Sequence, residues 1–367
     1  MRAAKANFLI AGVATILAFK LAAAQSPRQT WYFAVSGDSR NCGDVVMPAI
    51  ASDAKKHNVA FYWQLGDLRR TSGPDEDFVA EKSHAGQPAD LAEYEKDEWD
   101  DFIQNQIQAW GDIPYYLGIG NHEVAPPKNR AAFVEKFHAY LDRPDVREQR
   151  LKDNPQDEEP KTYYHWMRDG IDFIYLDNAT KDQFDAVQMR WIHDVLKRDH
   201  KDNAIRTIVV GMHKALPESI SFNHSMNESS AGTESGRRVY QMLLRLQNDS
   251  HKLVYVLASH SHYFMDGTFN TQYWKSHGGV LPGWIVGTAG AQRYPLPPDA
   301  HDAREAKTNV YGYLLAAVNP AADPSGTIRF KFEEIKEDAI PDDVIQRFTK
   351  ATVDECFAGN RRNTPVE

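Results

Sequence analysis

Six residues with metal-ligand chemistry each follow an apolar run: Asp38 after WYFAVSG, Asp67 after VAFYWQLG, Asn121 after YYLGIG, His213 after IRTIVVGM, and His260 and His262 after LVYVLAS. A buried strand has little reason to end on carboxylates, an amide and imidazoles unless those groups share a partner. One Gly-Asp pair is an ordinary turn, so the argument rests on the repetition. Carboxylates and imidazoles with one amide and no thiolate suit a divalent transition metal, Mn²⁺, Zn²⁺ or Fe, because all-oxygen sets favour Mg²⁺ or Ca²⁺ and thiolates favour structural zinc. One or two such ions per chain are expected. His260 and His262 lie two apart, so they reach a common point only if the chain leaves strand geometry, which Ser259 and Ser261 permit.

The elements that must carry these residues follow from periodicity. Asp44 to His57, Asp90 to Trp110, Lys128 to Leu141, Asp182 to His200 and Gly232 to Leu246 are predicted helices. Tyr163 to Asn178 is predicted as a hairpin turning at Asp169-Gly170, and Ile285 to Thr288, Val310 to Val318 and Ile328 to Ile335 are the late strands. So many late strands do not suit a purely parallel sheet. Two mixed sheets packed face to face and flanked by helices suit them better. Leu68 to Ala89 and the polar stretch Asp142 to Lys161 are expected to be loops, and with Pro217 to Ala231, Tyr263 to Gly283 and Gln292 to Thr308 they begin near strand ends, where pocket walls are built. Their aromatic and polar members are His224, Tyr263, Phe264, His277, Arg293 and Tyr294, with Trp284 nearby. They offer stacking surfaces or simple loop packing.

The chain has 367 residues and a formal net charge of -9, with no long basic run. That argues against a nucleic-acid polymer or an anionic membrane as partner, since both need clustered Lys and Arg. Arg2 and Lys5, the apolar stretch Phe8 to Leu21 and Ala22-Ala23-Ala24 read as a secretory signal peptide over 1–24, cleaved before Gln25. The expected product is an exported protein, periplasmic or secreted, with no transmembrane segment once the leader is removed. A catalytic domain over 25–340 and a C-terminal tail over 341–367 complete the expected organisation. Cys42 and Cys356 are either bridged or two free thiols, since only geometry decides. No phosphate-binding P-loop, dinucleotide fingerprint or G-x-S-x-G elbow occurs, which removes support for P-loop nucleotide hydrolysis, redox cofactors and serine esterase chemistry.

In order along the chain, Gly37-Asp38, Gly66-Asp67, Gly120-Asn121-His122-Glu123, His213 and His260-Ser261-His262 resemble the motif blocks of the calcineurin-like metallophosphoesterase superfamily. The resemblance implies a four-layer α/β/β/α sandwich and hydrolysis of a phosphate ester by a metal-activated hydroxide at a mono- or dinuclear site, and the lack of a basic run argues for a small or exposed phosphoester over a long polyanion. It also implies that Asp67 bridges two metals, that Asn121, His213 and His260 complete one site, and that Asp38 and His262 form the other. His122 would serve the leaving group or scissile phosphate, and Glu123 would orient His122, pack the motif turn or make a loop salt bridge. Two departures stand out, Arg40 and, more mildly, Ser259 where the family usually has glycine before the last histidine pair. Arg40 replaces a ligand of the first site, and a guanidinium cannot coordinate a cation; it binds phosphate, makes a structural salt bridge or marks a lost metal. The purple acid phosphatase subgroup is not matched, because its tyrosine falls at Arg70. A catalytically silent protein on the same scaffold, binding phosphate or a glycan, is the alternative.

Overall fold

The computed structural model describes residues 29–363 except 72, 181–182 and 320–326; the leader assigned to 1–24 lies outside the described residues. In chain order the elements are β1 (Trp31–Ser36), α1 (Gly43–Lys56), β2 (Val59–Gln64), α2 (Glu76–His84), α3 (Leu91–Phe102), β3 (Tyr115–Leu117), α4 (Arg130–Lys136), α5 (His138–Leu141) and α6 (Pro144–Asp153). There follow β4 (Tyr164–Arg168), β5 (Ile171–Leu176), α7 (Ala186–Lys201), β6 (Thr207–Met212), α8 (Ser230–Ser250), β7 (Leu253–Ala258), β8 (Phe264–Asp266), α9 (Gln272–Ser276) and β9 (Gly283–Val286). The chain closes with β10 (Glu305–Lys307), β11 (Tyr311–Val318), β12 (Ile328–Ile335), α10 (Asp342–Phe348) and α11 (Lys350–Asp354).

The strands form two mixed sheets, one ordered β12-β11-β1-β2-β3 and the other β10-β8-β9-β7-β6-β5-β4. Alternation along β5 shows why they stack. Phe173 and Tyr175 point to the first sheet, where Phe173 meets Phe33 at 5.3 Å and Phe61 at 5.2 Å between ring centroids. Ile174 and Leu176 point the other way, into a second core with Ile192 and Val195 of α7 and Val239 and Leu243 of α8. Strands buried on both faces need apolar side chains at every position, so they read as continuous runs. With α1 packed on the outer face of the first sheet, the result is an α/β/β/α sandwich. Parallel pairing of β1 with β2 with β3, and of β5 with β6 with β7 with β9, brings their carboxyl ends to one edge.

Several local expectations need correction. Leu68 to Ala89 contains α2 and Asp142 to Lys161 contains α6; each buries only two residues, so no apolar stripe announces it. The helix expected over Lys128 to Leu141 breaks at Phe137. Asp142 to Lys161 also does not wall the strand-end edge: Asp142 pairs with Arg147 and Arg150, and Asp153 with His165 and Arg198. Residues 342–348 and 350–359 are helical, and α10 lies against α1 and α2. Cys42 and Cys356 are bridged, with Cα atoms 5.9 Å apart, which ties the C-terminal helices to the loop beyond β1.

That loop is also fixed by a buried charge cluster. Arg69 is fully buried and donates to Asp44 (2.8 Å), Asp75 (3.3 Å) and Asp101, while Asp75 accepts from the Asn41 amide (2.6 Å) and Asp77 from the Asp44 amide (2.8 Å). Arg69→Met leaves these carboxylates without their cation, which is expected to cost about 3–5 kcal/mol in urea unfolding at neutral pH. Burial already pushes Asp101 up to about 6 with Arg69 present. Without the cation the buried carboxyls hold protons that the unfolded chain releases, so stability rises as pH falls. The deficit against wild type should therefore shrink towards pH 5, and a deficit independent of pH would contradict this account.

Candidate metal centre

Each strand-end block turns sharply. Asp38, Asp67 and His260 have φ of 59°, 58° and 65°, left-handed values that L residues adopt only when their surroundings impose them. The impositions are visible. Asp38 donates its amide to the Gly66 carbonyl (2.9 Å), and its carboxylate accepts from the His260 amide (2.6 Å), joining three blocks. Gly66 passes against Gly120 so closely that a Cβ would strike the Gly120 nitrogen at 2.5 Å, and a side chain on Gly120 would displace the Asp67 carboxylate. These two glycines let the Asp67 and Asn121 turns meet.

His213 Nε2 lies 3.0 Å from Asn121 Oδ1, 3.0 Å from His260 Nδ1 and 3.3 Å from Asp67 Oδ1. Its Nδ1–H donates to the Leu65 carbonyl (3.0 Å), which directs the Nε2 lone pair inward. His260 turns Nε2 outward towards His224 Nδ1 (3.4 Å) and Glu228 Oε1 (3.6 Å), so its Nδ1 lone pair also points inward. The ligand atoms of Asp38, Asp67, His213 and His260 all fall within 4.8 Å of one another. Acceptors converge here without donors between them, and Asp38 Oδ1 and Asp67 Oδ2 are buried with no hydrogen-bond partner. Such groups repel unless a cation lies among them, so Asp38, Asp67, Asn121, His213 and His260 fit one divalent ion.

Burial disfavours charge on Asp67, but His213, His122 and Arg40 outweigh it and hold the carboxyl well below its usual range. Burial likewise opposes a proton on His213, which the Asp67 charge more than restores. A proton and a metal ion are thus alternatives at His213. Burial keeps His260 neutral, pushing it down to about 3.

The second ligand position is different. His262 Nδ1 donates to the Gln292 carbonyl (2.6 Å), leaving a lone pair on Nε2, which is 3.2 Å from Asp38 Oδ1. Arg40 Nη2 donates into that lone pair at 3.0 Å, and Arg40 Nε sits 3.6 Å from Asp67 Oδ2 without a hydrogen bond of its own. With a permanent cation bonded to His262, this position does not fit a second metal.

Glu123 accepts from the amides of Asp67 (2.9 Å), Leu68 (2.9 Å) and Gly120 (2.8 Å), so it clamps two ligand turns together. Burial, then the Asp67 charge, raises it to about 7. His122 donates its backbone amide to Asp67 Oδ1 (3.0 Å); its Nδ1 faces Thr71 Oγ1 (3.2 Å) and its Nε2 lies 3.7 Å from Asp67 Oδ2. Burial lowers its pKa to about 4. Glu228, bonded to Lys214 (2.5 Å), was invisible in the sequence, because it reaches His260 only through the fold of the loop after β6. Among the loop residues singled out, His224 and Tyr294 flank the cluster. His277 stacks on Tyr273, Phe264 on Phe332 and Trp284 on Phe330, while Arg293 anchors the carbonyls of Cys356 and Phe357. Arg70 pairs with Glu76.

No family model matches the chain, and no curated protein matches it. Solved structures do. A purple acid phosphatase from yellow lupin (Lupinus luteus) seeds aligns with TM-score 0.53 at 13% identity, covering 83% of this chain and 52% of that one, so this chain spans about half its length. PhoD aligns with TM-score 0.51 at 13% identity over 90% of this chain and 77% of its own. Identities this low carry the fold and no more.

Proposed function

We propose that this chain, which has the calcineurin-like metallophosphoesterase fold, is a metal-dependent phosphoric ester hydrolase. The observation that carries the reading is a cluster of inward lone pairs beside a partly buried guanidinium: a place for a cation next to a place for an anion. Asp38, Asp67, Asn121, His213 and His260 would hold the metal. When bound, that metal supplies a Lewis acid that acidifies water and neutralises phosphoryl charge. Leu65 and Glu228 fix the two imidazoles by their outer nitrogens, and Glu123 holds the Asp67 and Asn121 turns at a constant separation. Arg40 would take the role of a second cation: its unpaired Nε–H offers a charge-assisted hydrogen bond to a phosphoryl oxygen. Two carboxylates against one divalent ion and one guanidinium leave the site formally positive, which favours an anionic substrate.

The test is metal content of the purified protein measured together with turnover of a phosphomonoester and a phosphodiester before and after chelation. Full turnover without metal would refute the reading. The Cys42–Cys356 bridge and the leader-like N-terminus support an exported, periplasmic or secreted protein. Among the described residues no helix is long and apolar enough to cross a membrane. Arg40 at a ligand position also favours a second reading, a phosphate- or glycan-binding protein without turnover, which the same assay separates.

Arg40 itself makes a prediction. Arg40→Ala removes the phosphate contact, so KM should rise roughly 10- to 100-fold, the equivalent of about 1.5–3 kcal/mol for a charge-assisted hydrogen bond. Arg40→His frees His262 and adds a ligand, so calorimetric titration of metal into the apo-protein should go from one ion per chain to two. Unchanged stoichiometry with unchanged KM in both variants would make Arg40 a structural ion pair only.

A further inference from the structure

A single ring separates the metal centre from the next cavity. Tyr294 stacks on His262 with centroids 4.0 Å apart and planes 26° apart, and its ring lies 5.5 Å from that of His224. Behind it opens a cavity of about 290 Å³ between the loop after β6 and the loop after β9. Ile220, Phe222, Tyr263 and Pro295, Pro297 and Pro298 supply apolar walls. The polar groups near them are largely spent: the Tyr263 hydroxyl donates to Ser221 Oγ (2.6 Å), which is itself 2.6 Å from Ser261 Oγ.

His224 turns Nδ1 to the outward Nε2 of His260 (3.4 Å), and its own Nε2 is buried without a hydrogen-bond partner, so it offers the cavity no exposed donor. One group is left uncovered. Phe222 is 53% exposed at the cavity, although a phenyl ring gains by being covered. The lining contains no Lys or Arg, and its one charged residue is Asp299, which repels a second phosphate.

We propose that this cavity receives the alcohol part of the phosphoester: a small, uncharged, mainly apolar group, an aromatic ring or branched alkyl chain. The assignment rests on the phosphoester-hydrolase reading and names its substrate class. In the reaction the oxygen of water joins phosphorus as the bond from phosphorus to this alcohol breaks, and the alcohol leaves with a proton. A ring held in the cavity lies beside Tyr294, the ring that stacks on His262. Nucleoside di- and triphosphates, with further charges to bury, are excluded from the same space.

The experiment uses the metal-loaded full chain and phenyl phosphates bearing para hydrogen, isopropyl or hydroxymethyl, with calorimetric binding of the matching phenylphosphonates in parallel. The expected result is kcat/KM at least about 10-fold higher for isopropyl than for hydroxymethyl, the scale at which apolar pockets discriminate. Phe222→Ser, at an exposed position and so compatible with folding, should bring that ratio close to one. Val187→Ser, which removes an equally exposed apolar side chain from α7, should leave the ratio as in wild type. Turnover with no preference along the series, or a preference that survives Phe222→Ser, overturns the cavity assignment while hydrolysis stands. An apolar preference in phosphonate binding without turnover of any ester supports the cavity and refutes hydrolysis. Absence of preference in both readouts overturns the assignment.

Discussion

Asn121→Ala is expected to empty the metal site and reduce phosphoester turnover roughly a thousandfold or more, because the transition-state stabilisation a metal supplies is worth several kcal/mol and each 1.36 kcal/mol is tenfold in rate. The variant is chosen for its neighbours. Asn121 opens a short 3₁₀ turn, Asn121–Val124, that does not depend on its side chain: Glu123 already holds the turn by bonds to the Gly120, Asp67 and Leu68 amides. The Asn121 oxygen lies 3.0 Å from His213 Nε2 as one of the converging acceptors, so its removal takes away a proposed ligand and leaves the scaffold. His213→Ala would lose activity as well, but it also strips the Leu65 carbonyl and Ser259 of a partner inside the core. Metal per chain after gel filtration is the primary readout. Thermal or urea unfolding is the second, since metal at a hundredfold excess over Kd should stabilise wild type by about 2.7 kcal/mol and Asn121→Ala much less. Retention of both metal and turnover would remove Asn121 from the ligand set.

What the sequence made legible is what burial writes into composition. β2, β6, β7, β11 and β12 are apolar because a sheet or a helix covers both faces, or because one face alternates, and those signals survive without coordinates. The converging acceptors of the candidate site were legible for the converse reason, as polar groups where an apolar run stops. α2 and α6 were not, since a helix that buries two side chains carries almost no period, and β8 and β10, of three residues each, are too short to alternate. Partnerships between distant residues were not legible either. Cys42 and Cys356 are 314 positions apart, and either pairing or free thiols fitted their spacing. Arg40 could be read as a foreign residue at a ligand position, but its bond to His262, 222 residues away, appears only when β1 and β7 end at the same edge. Glu228 stands after no strand at all; it meets His260 because the loop after β6 folds back over the cluster.

His122→Asn is expected to lower turnover by roughly 10²–10⁴, the range for loss of a positioned general acid, while metal content stays at the wild-type level. The side chain and backbone of His122 have separable jobs. Its amide donates to Asp67 Oδ1 (3.0 Å) and will do so whatever the side chain, so the Asp67 ligand keeps its support. Its ring stands at the edge of the centre, Nδ1 facing Thr71 Oγ1 (3.2 Å) and Nε2 3.7 Å from the unpartnered Asp67 Oδ2. Burial leaves the free ring neutral, with its pKa near 4. It would therefore meet substrate as an N–H donor, in a hydrogen bond that strengthens as charge gathers on the departing oxygen. The effect must then depend on how much charge the departing oxygen carries. Aryl esters with electron-withdrawing substituents leave without a proton and should lose little, whereas alkyl esters should lose the full factor. Rates for both ester classes, measured in one buffer with metal occupancy checked, decide the matter. An equal loss on good and poor leaving groups would reduce His122 to a general electrostatic or structural role. Thr71→Val adds a control, since loss of the Nδ1 partner should weaken alkyl-ester turnover by a smaller factor in the same direction.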